Sequence, residues 1–89
     1  MLIALIARDK PGALQTRLDN RDAHLSYIKE TGVVSHGGPL LDAEGGMIGS
    51  LVVLDVPDMA EAEAWVAGDP YGQAGLFQSV ELFPWKKVI

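Results

Sequence analysis

The chain contains no cysteine, which excludes disulfides and thiolate metal sites as supports for its small core. It has only two histidines, His24 and His36, and no group of histidines and carboxylates has the spacing of metal ligands. No glycine-rich phosphate loop occurs, because the pairs Gly37-Gly38 and Gly45-Gly46 lack the required spacing and a following lysine or helix start. We therefore expect neither a metal nor an organic cofactor.

Basic residues and long apolar segments are also scarce. The sequence has 7 Lys and Arg against 12 Asp and Glu, and a net charge of -5 disfavours non-specific binding to nucleic acid, which needs a basic surface. The apolar start of the chain, residues 1–7, is far shorter than the roughly 20 residues that span a bilayer. It also lacks the basic start and cleavage site of a signal peptide. We expect a cytoplasmic protein with no nucleic-acid or membrane partner.

What the chain does contain is a regular succession of strand and helix patterns in a single domain, residues 1–89. The apolar run 2–7 predicts a strand that is buried on both faces. Apolar residues then recur with a helical period over 13–31, and Asp19-Asn20 offers a point at which this helix could break, with either residue capping the second piece. The remaining predicted elements are strands over 33–41 and 48–56, a helix that Asp58 caps and that ends at Gly68, a linking turn over 71–75, and a strand over 77–85.

This order of elements predicts a ferredoxin-like α+β fold, βαββαβ, in which a four-stranded antiparallel sheet carries both helices on one face. The strands do not alternate apolar and polar residues, since 2–7 and 51–54 are apolar throughout. The last strand is predicted to set Phe77, Phe83 and Trp85 on one face and further apolar residues on the other. We expect a second copy of the chain to cover the face that the helices leave open, giving a homodimer with face-to-face sheets. The alternative is a monomer with a partly apolar sheet.

Three polar residues of the first helix, Arg17, Arg21 and His24, are spaced by four and three and so form one stripe at the edge of the apolar arc. Asp69 follows the second helix, where the helix dipole disfavours a negative charge, so a compensating partner such as His24 or an arginine is expected. Because Pro70 restricts the backbone before it, the direction of Asp69 is also constrained. A histidine and an aspartate that folding brings together make a proton-transfer pair.

Each of these residues also has a structural interpretation. His24 could be a partly buried histidine bonded to the backbone, and Asp69 could be a turn residue, since Asp-Pro commonly starts turns. The two arginines could pair on the surface with Asp19 and Asp22. His36 is more typical of a strand end than of a ligand.

Several short motifs form a pattern that runs over nearly the whole chain: Arg21-Asp22-Ala23-His24-Leu25, Gly38-Pro39, Gly49-Ser50-Leu51-Val52-Val53, Ala62-Glu63-Ala64-Trp65, Asp69-Pro70-Tyr71-Gly72-Gln73-Ala74-Gly75-Leu76 and Pro84-Trp85-Lys86-Lys87-Val88. In these motifs the chain resembles the YciI-like (YCII-related) family. The resemblance implies a dimeric α+β barrel with a pocket in which His24 and Asp69 form the catalytic pair. His36 departs from the family pattern, in which a small or hydroxyl residue is typical. It would add a second titrating group if it lines the pocket.

The residues and the resemblance together favour a small enzyme without metal or organic cofactor that acts on a small organic acid, cyclic or aromatic in kind. His24 would act as general acid and base, while Asp69 would orient it and stabilise the imidazolium. Arg17 or Arg21 would bind a carboxylate or phenolate of the substrate. The chemistry would be proton abstraction with isomerisation or elimination, as in an isomerase, lyase or dehydrohalogenase; related dimeric α+β barrels carry such activities, which is an analogy of fold alone.

The other candidate substrate-binding residues are His36, Gly38 and Tyr71, and backbone amides near Gly38 would stabilise developing oxyanion charge. An alternative function is a non-catalytic dimeric module that binds a small ligand or supports a larger enzyme. A third is a purely structural dimer. A cavity that meets both His24 and an arginine favours the enzyme, whereas a pocket with no room beside His24 favours the module.

Overall fold

A computed structural model describes all residues, 1–89. Its four strands form one antiparallel sheet in the order β2-β3-β1-β4, which confirms the predicted ferredoxin-like α+β fold. None of the helices has the length and apolar character that a membrane span requires. The elements in chain order are β1 (Leu2–Asp9), α1 (Leu14–Asp19), α2 (Arg21–Thr31), β2 (Val34–Leu41), β3 (Met47–Asp55), α3 (Met59–Gly68), α4 (Pro70–Gln73) and β4 (Phe77–Trp85).

The predicted first helix is two helices, and the break falls at Asn20. The Asn20 side-chain amide donates to the carbonyl oxygen of Thr16 at 2.8 Å, so it bonds backward to α1 and does not cap α2 with its side chain. The break is therefore confirmed. Asn20 occupies the cap position of α2, as one of the two predicted candidates, but its side chain makes no capping hydrogen bond. α2 then ends at Gly32, whose φ of 66° is the left-handed conformation that glycine adopts freely.

The predicted linking turn after α3 contains a short helix, α4, and Asp69 is the reason. The Asp69 carboxylate accepts a hydrogen bond from the backbone N–H of Tyr71 at 3.0 Å, as a capping residue does. Pro70 occupies the first helical position, where its missing N–H costs nothing and its fixed φ suits the helix. Asp58 caps α3 in the same way, as predicted, with the Glu61 N–H at 2.9 Å.

The core lies between one face of the sheet and α3. Ile3 and Leu54 are fully buried there, and Trp65 of α3 packs on them at 5% exposure. Trp65 is also tied to α2, because the Tyr27 hydroxyl donates to its carbonyl oxygen at 2.7 Å and its indole N–H donates to the Thr31 hydroxyl at 2.9 Å. We call this side of the sheet the helix-covered face.

The opposite side of the sheet, which we call the open face, carries no helix. Leu51, Phe83 and Trp85 lie on it with 42%, 46% and 40% of their surface exposed. Phe77 was predicted to share their face, but it packs instead against the core on the helix-covered side. The reason is a β-bulge: Ser79 pairs with Arg8 and Phe77 with the next residue, Asp9, so two residues of β4 match one of β1 and the alternation of sides is reset.

Candidate active site

A cleft of about 340 Å³ opens on the helix-covered face, between α2 and strands β2 and β3. Its apolar lining comes from both walls, with Leu25 and Ile28 from α2 and Val52 from β3 among the contributors. The backbone of β2 approaches closely here, because a Cβ at Gly37 would lie 2.9 Å from the Leu51 carbonyl oxygen. The polar lining residues are Arg17, Arg21, His24, Ser50 and Tyr71.

The cleft contains a hydrogen-bonded histidine and aspartate. His24 Nδ1 lies 2.7 Å from Asp69 Oδ1, and the two residues are 7% and 2% exposed. The same oxygen accepts the Tyr71 N–H, and a carboxylate can only accept, so Nδ1 of the imidazole carries the proton. His24 Nε2 has no partner in the protein. Because no fully buried side-chain nitrogen or oxygen lacks a partner, this atom is reached from the cleft.

The plane of the imidazole is fixed by stacking. The rings of His24 and Tyr71 lie 3.9 Å apart between centroids with an interplanar angle of 16°. Burial raises the pKa of the Tyr71 phenol above its ordinary value of 10.0, although the positive charges of Arg17 and Arg21 offset part of the effect. Tyr71 is therefore a neutral phenol at neutral pH, and it holds His24 without adding charge beside it.

Arg17 is committed to partners within the chain. Its Nε and Nη2 donate to the two carboxylate oxygens of Asp9 at 2.7 and 2.9 Å, and Nη2 also donates to Ser50 Oγ at 2.9 Å. Its guanidinium carbon lies 4.7 Å from the centre of the Tyr71 ring. Burial alone would lower the pKa of Arg17, but the hydrogen bonds and charge of Asp9 outweigh burial and raise it. The guanidinium is thus a permanent buried cation.

Arg21 differs from Arg17, because it lines the same cleft from an exposed position and takes part in none of the ion pairs of the chain. Of the two arginines considered as anion ligands, only Arg21 has its guanidinium free. The expected surface pairs of the arginines with Asp19 and Asp22 do not form.

The remaining predicted site residues divide between the two faces. Gly38 and Tyr71 line the cleft. The structure does not bring His36 to the cleft, because His36 pairs with Val53 and so points to the open face, whereas Gly37 pairs with Val52. There the His36 ring is exposed and meets Trp85 edge-on at 6.1 Å.

Ser50 and Asp9 belong to the site and were not among the predicted site residues. Ser50 is 4% exposed and lines the cleft, and Asp9 anchors Arg17 from the end of β1. The sequence does contain a feature that distinguishes Ser50, because it is the single residue with a hydroxyl group in the otherwise apolar run 48–54. No comparable signal marked Asp9, because its sequence position at a strand end suits an ordinary surface residue.

The chain is similar to proteins of known family over nearly its whole length. The model of the family described as YCII-related domain matches residues 1–86. The Escherichia coli O6:H1 protein YciI is 33% identical over 97 residues, covering 99% of both chains. Among solved structures, the 5-chloro-2-hydroxyhydroquinone dehydrochlorinase TftG of Burkholderia phenoliruptrix AC1100, in complex with 2,5-dihydroxybenzoquinone, superposes with a TM-score of 0.90 at 35% identity, covering 97% of this chain and 94% of that one. An antibiotic biosynthesis monooxygenase, at 14% identity and a TM-score of 0.58, covers 98% and 100% and shares the fold alone.

Proposed function

The chain belongs to the YCII-related domain family, and from that premise we propose that it is a proton-transfer enzyme acting on a small hydroxylated ring, of the lyase (dehydrohalogenase) or isomerase type. The observation that carries the proposal is the state of His24. Its Nδ1–H is held by Asp69 at 2.7 Å, while its Nε2 is unpartnered and open to the cleft. This is the arrangement that a general base requires.

His24 Nε2 accepts a proton from the substrate and can later return it. Asp69 keeps the imidazole in the Nδ1–H tautomer and stabilises the imidazolium that forms. The stacked Tyr71 ring holds the imidazole plane, so the lone pair of Nε2 keeps one direction. Such a positioned base contributes about 10² to 10⁴ in rate.

The shape and charge of the cleft support a small ring with an acidic hydroxyl as substrate. At about 340 Å³ the cleft is at the small end of ligand pockets, and its walls are mostly apolar. Arg21 offers the free positive charge that a phenolate or enolate oxygen would bind. The TftG chain, which shares 35% identity, acts on a ring of this class and binds a dihydroxybenzoquinone.

For a halogenated hydroxyhydroquinone the elimination balances without an added oxidant. One hydroxyl proton passes to His24 Nε2, and the imidazolium then returns a proton to the ring carbon that bears the halogen. The carbon–halogen bond breaks, the halide leaves with both bonding electrons, and a second hydroxyl loses its proton to solvent. The ring becomes a quinone, and its two-electron oxidation is matched by replacement of C–halogen with C–H.

The experiment is turnover of 5-chloro-2-hydroxyhydroquinone under anaerobic conditions, followed by chloride release and quinone absorbance. We expect turnover by the wild type and a loss of about 10²-fold or more in Asp69→Asn. The matched control is Asp58→Asn, which changes a capping aspartate on another helix and should leave turnover unchanged, because asparagine caps as well.

¹⁵N NMR of the imidazole should show the Nδ1–H tautomer in the wild type and a mixture in Asp69→Asn. Tight binding of 2,5-dihydroxybenzoquinone with no turnover of any halogenated or tautomerisable ring would instead favour a ligand-binding module.

We also propose that the open face is the interface of a homodimer. Leu51, Phe83 and Trp85 are apolar and exposed on that face. Its charged residues are paired within the chain, Arg8 with Glu81 at 2.6 Å and Asp55 with the N-terminal amino group at 3.7 Å. A second copy of the same surface is the occupant that matches such an apolar, internally neutralised patch. Sedimentation velocity should give a dimer for the wild type and a monomer for Phe83→Glu, with Lys86→Glu as control. A monomeric wild type at micromolar concentration would contradict the dimer.

A further inference from the structure

The hydrogen bond between Arg17 and Ser50 has a direction that can be assigned. Guanidinium has five N–H donors and no acceptor, so in the 2.9 Å contact Arg17 Nη2 donates and Ser50 Oγ accepts. The Ser50 hydroxyl proton must therefore point away from Arg17. No other protein group accepts it, although the residue is 4% exposed.

The cleft is the one place where that proton can be used. Ser50 belongs to β3 and lines the cleft together with His24 and Arg21. Its strand neighbours in the register, Ala7 of β1 and Pro39 of β2, offer no side-chain acceptor. The hydroxyl thus presents a single hydrogen-bond donor toward a bound ligand.

A buried charge strengthens this donor as well as directing it. Because Arg17 is held as a cation by two hydrogen bonds to Asp9, its donation draws electron density from Ser50 Oγ and polarises the O–H bond. The polarised donor suits an anionic oxygen better than a neutral one. Arg17 itself touches Asp9, Ser50 and Tyr71, so its effect on a ligand passes through these residues.

We propose that Ser50 is a substrate-binding residue whose hydroxyl donates to a phenolate or enolate oxygen of the ring, and that the Asp9–Arg17 pair is the positioning device that orients it. The proposal rests on the proposed function, because it names what holds the oxygen from which charge develops. Arg21 then binds a second anionic group from the solvent side of the same cleft, and His24 is left free to move the proton.

The test is binding of 2,5-dihydroxybenzoquinone, titrated by its visible absorbance and by calorimetry. We expect Ser50→Ala to weaken binding about tenfold to a hundredfold, the range for a hydrogen bond to a charged group, and to reduce the absorbance shift of the bound quinone. Ser50→Thr, which keeps a hydroxyl, should restore most of the affinity. Ser35→Ala, which removes an exposed strand serine near His36, is the matched control and should bind like the wild type.

A double-mutant cycle separates positioning from general structural support. If Arg17 acts through Ser50, Arg17→Met weakens quinone binding in the wild-type background but adds little once Ser50 is alanine. If the losses of binding free energy in Arg17→Met and Ser50→Ala are fully additive in the double variant, the positioning role of Arg17 is overturned. Should Arg17→Met fail to fold, Ser50→Ala and Ser50→Thr still decide the role of Ser50.

The outcomes separate this inference from the function on which it rests. Equal quinone affinity of the wild type and Ser50→Ala, with turnover of the chlorinated ring intact in both, overturns the role of Ser50 and leaves the proton-transfer enzyme standing. A wild type that neither binds the quinone nor turns over the chlorinated ring overturns both.

Discussion

The two faces of the sheet are nearly equally apolar in sequence, yet they differ in what happens to a polar side chain. On the helix-covered face His24 is 7% exposed, bonded to a carboxylate and stacked on an aromatic ring. On the open face His36 is exposed, bonds only to its neighbour Ser35 and meets Trp85 edge-on. Within one chain, the same residue type is held in one geometry on the helix-covered face and is exposed on the open face.

The arginines repeat the contrast. Arg17 and Asp9 form a pair that is 3% and 6% exposed in its side chains, with a second bond to Ser50. Arg8 and Glu81 pair at 2.6 Å on the open face at 57% and 49% exposure. The buried ion pair is thus part of a connected network, whereas the exposed pair is isolated. The candidate active site lies on the face that carries the buried pair.

The largest expected difference is between the two histidines. We expect His24→Ala to lower turnover of the chlorinated ring by about 10² to 10⁴, because the proposed base is lost. His36→Ala, on the other face, should stay within about twofold, since no contact joins it to the cleft. Steady-state kinetics on both variants, with circular dichroism as the folding control, makes the comparison. Equal losses in both would end the assignment of the site to one face.

The second comparison is between the two ion pairs. Asp9→Asn leaves a buried guanidinium without its counter-charge and should lower the free energy of unfolding by about 3 to 5 kcal/mol. Arg8→Gln removes a pair that is exposed in the single chain and, in the monomeric Phe83→Glu background, should cost no more than about 1 kcal/mol. Urea denaturation of the two variants measures both values. Similar costs would mean that burial does not distinguish the pairs.

The third comparison is between two leucines of β3, one on each face, which differ in what they pack against. Leu54 is fully buried on the helix-covered face, and Leu54→Ala should destabilise each chain by about 2 to 5 kcal/mol without changing the dissociation constant of the proposed dimer. Leu51→Ala should raise the dissociation constant and leave the isolated chain within about 1 kcal/mol. Denaturation at two protein concentrations, with sedimentation equilibrium, separates these effects. A dissociation constant that Leu51→Ala leaves unchanged would contradict dimerisation through the open face.

The smallest expected effect is a loss of stability at alkaline pH. It concerns only the helix-covered face, where both tyrosines lie. Burial raises the pKa of Tyr71 above 10.0 despite the charges of Arg17 and Arg21, and burial also raises the pKa of Tyr27, with Asp69 adding to it. The folded state then holds these protons more tightly than the unfolded state. The free energy of unfolding should consequently fall as pH rises above about 10.

Urea denaturation between about pH 9 and pH 11 measures this slope. Tyr71→Phe removes one of the titrating groups and should reduce the slope of unfolding free energy against pH. Tyrosinate absorbance should appear at a higher pH in the folded protein than in the unfolded chain. A slope that is identical in Tyr71→Phe would show that Tyr71 does not contribute.

Much of this organisation is predictable from sequence, because it depends on local pattern. The order of apolar runs gave the four-stranded fold, and the four-and-three spacing of the first-helix residues brought Arg17, Arg21 and His24 to one cleft even though the helix breaks at Asn20. Asp69 was found through the restriction that Pro70 imposes and the unfavourable charge at a helix end. The helical spacing and the restriction before proline each depend on residues that are close together in the chain, so they can be recognised from the sequence.

What sequence did not predict depends on register between distant strands. Phe77 lies on the helix-covered face because of the bulge near Asp9. His36 lies on the open face because it pairs with Val53. The bond from Arg17 to Ser50 spans 33 positions, so no local pattern announces it. A one-residue shift in strand alignment exchanges the faces, and periodicity alone does not fix that shift.

One oxygen of Asp69 holds both the turn that starts α4 and the imidazole of His24, and the ring two positions later stacks on that imidazole. For protein engineering, Asp69-Pro70-Tyr71 is therefore a segment whose three residues must be moved together, along with the Arg17 and Phe77 contacts of the Tyr71 ring. Grafted before a short helix in another scaffold, it would place a hydrogen-bond acceptor and a flat aromatic ring on two sides of a recipient histidine. An insertion within the tripeptide would destroy both functions at once, whereas extra residues after α4 should be tolerated.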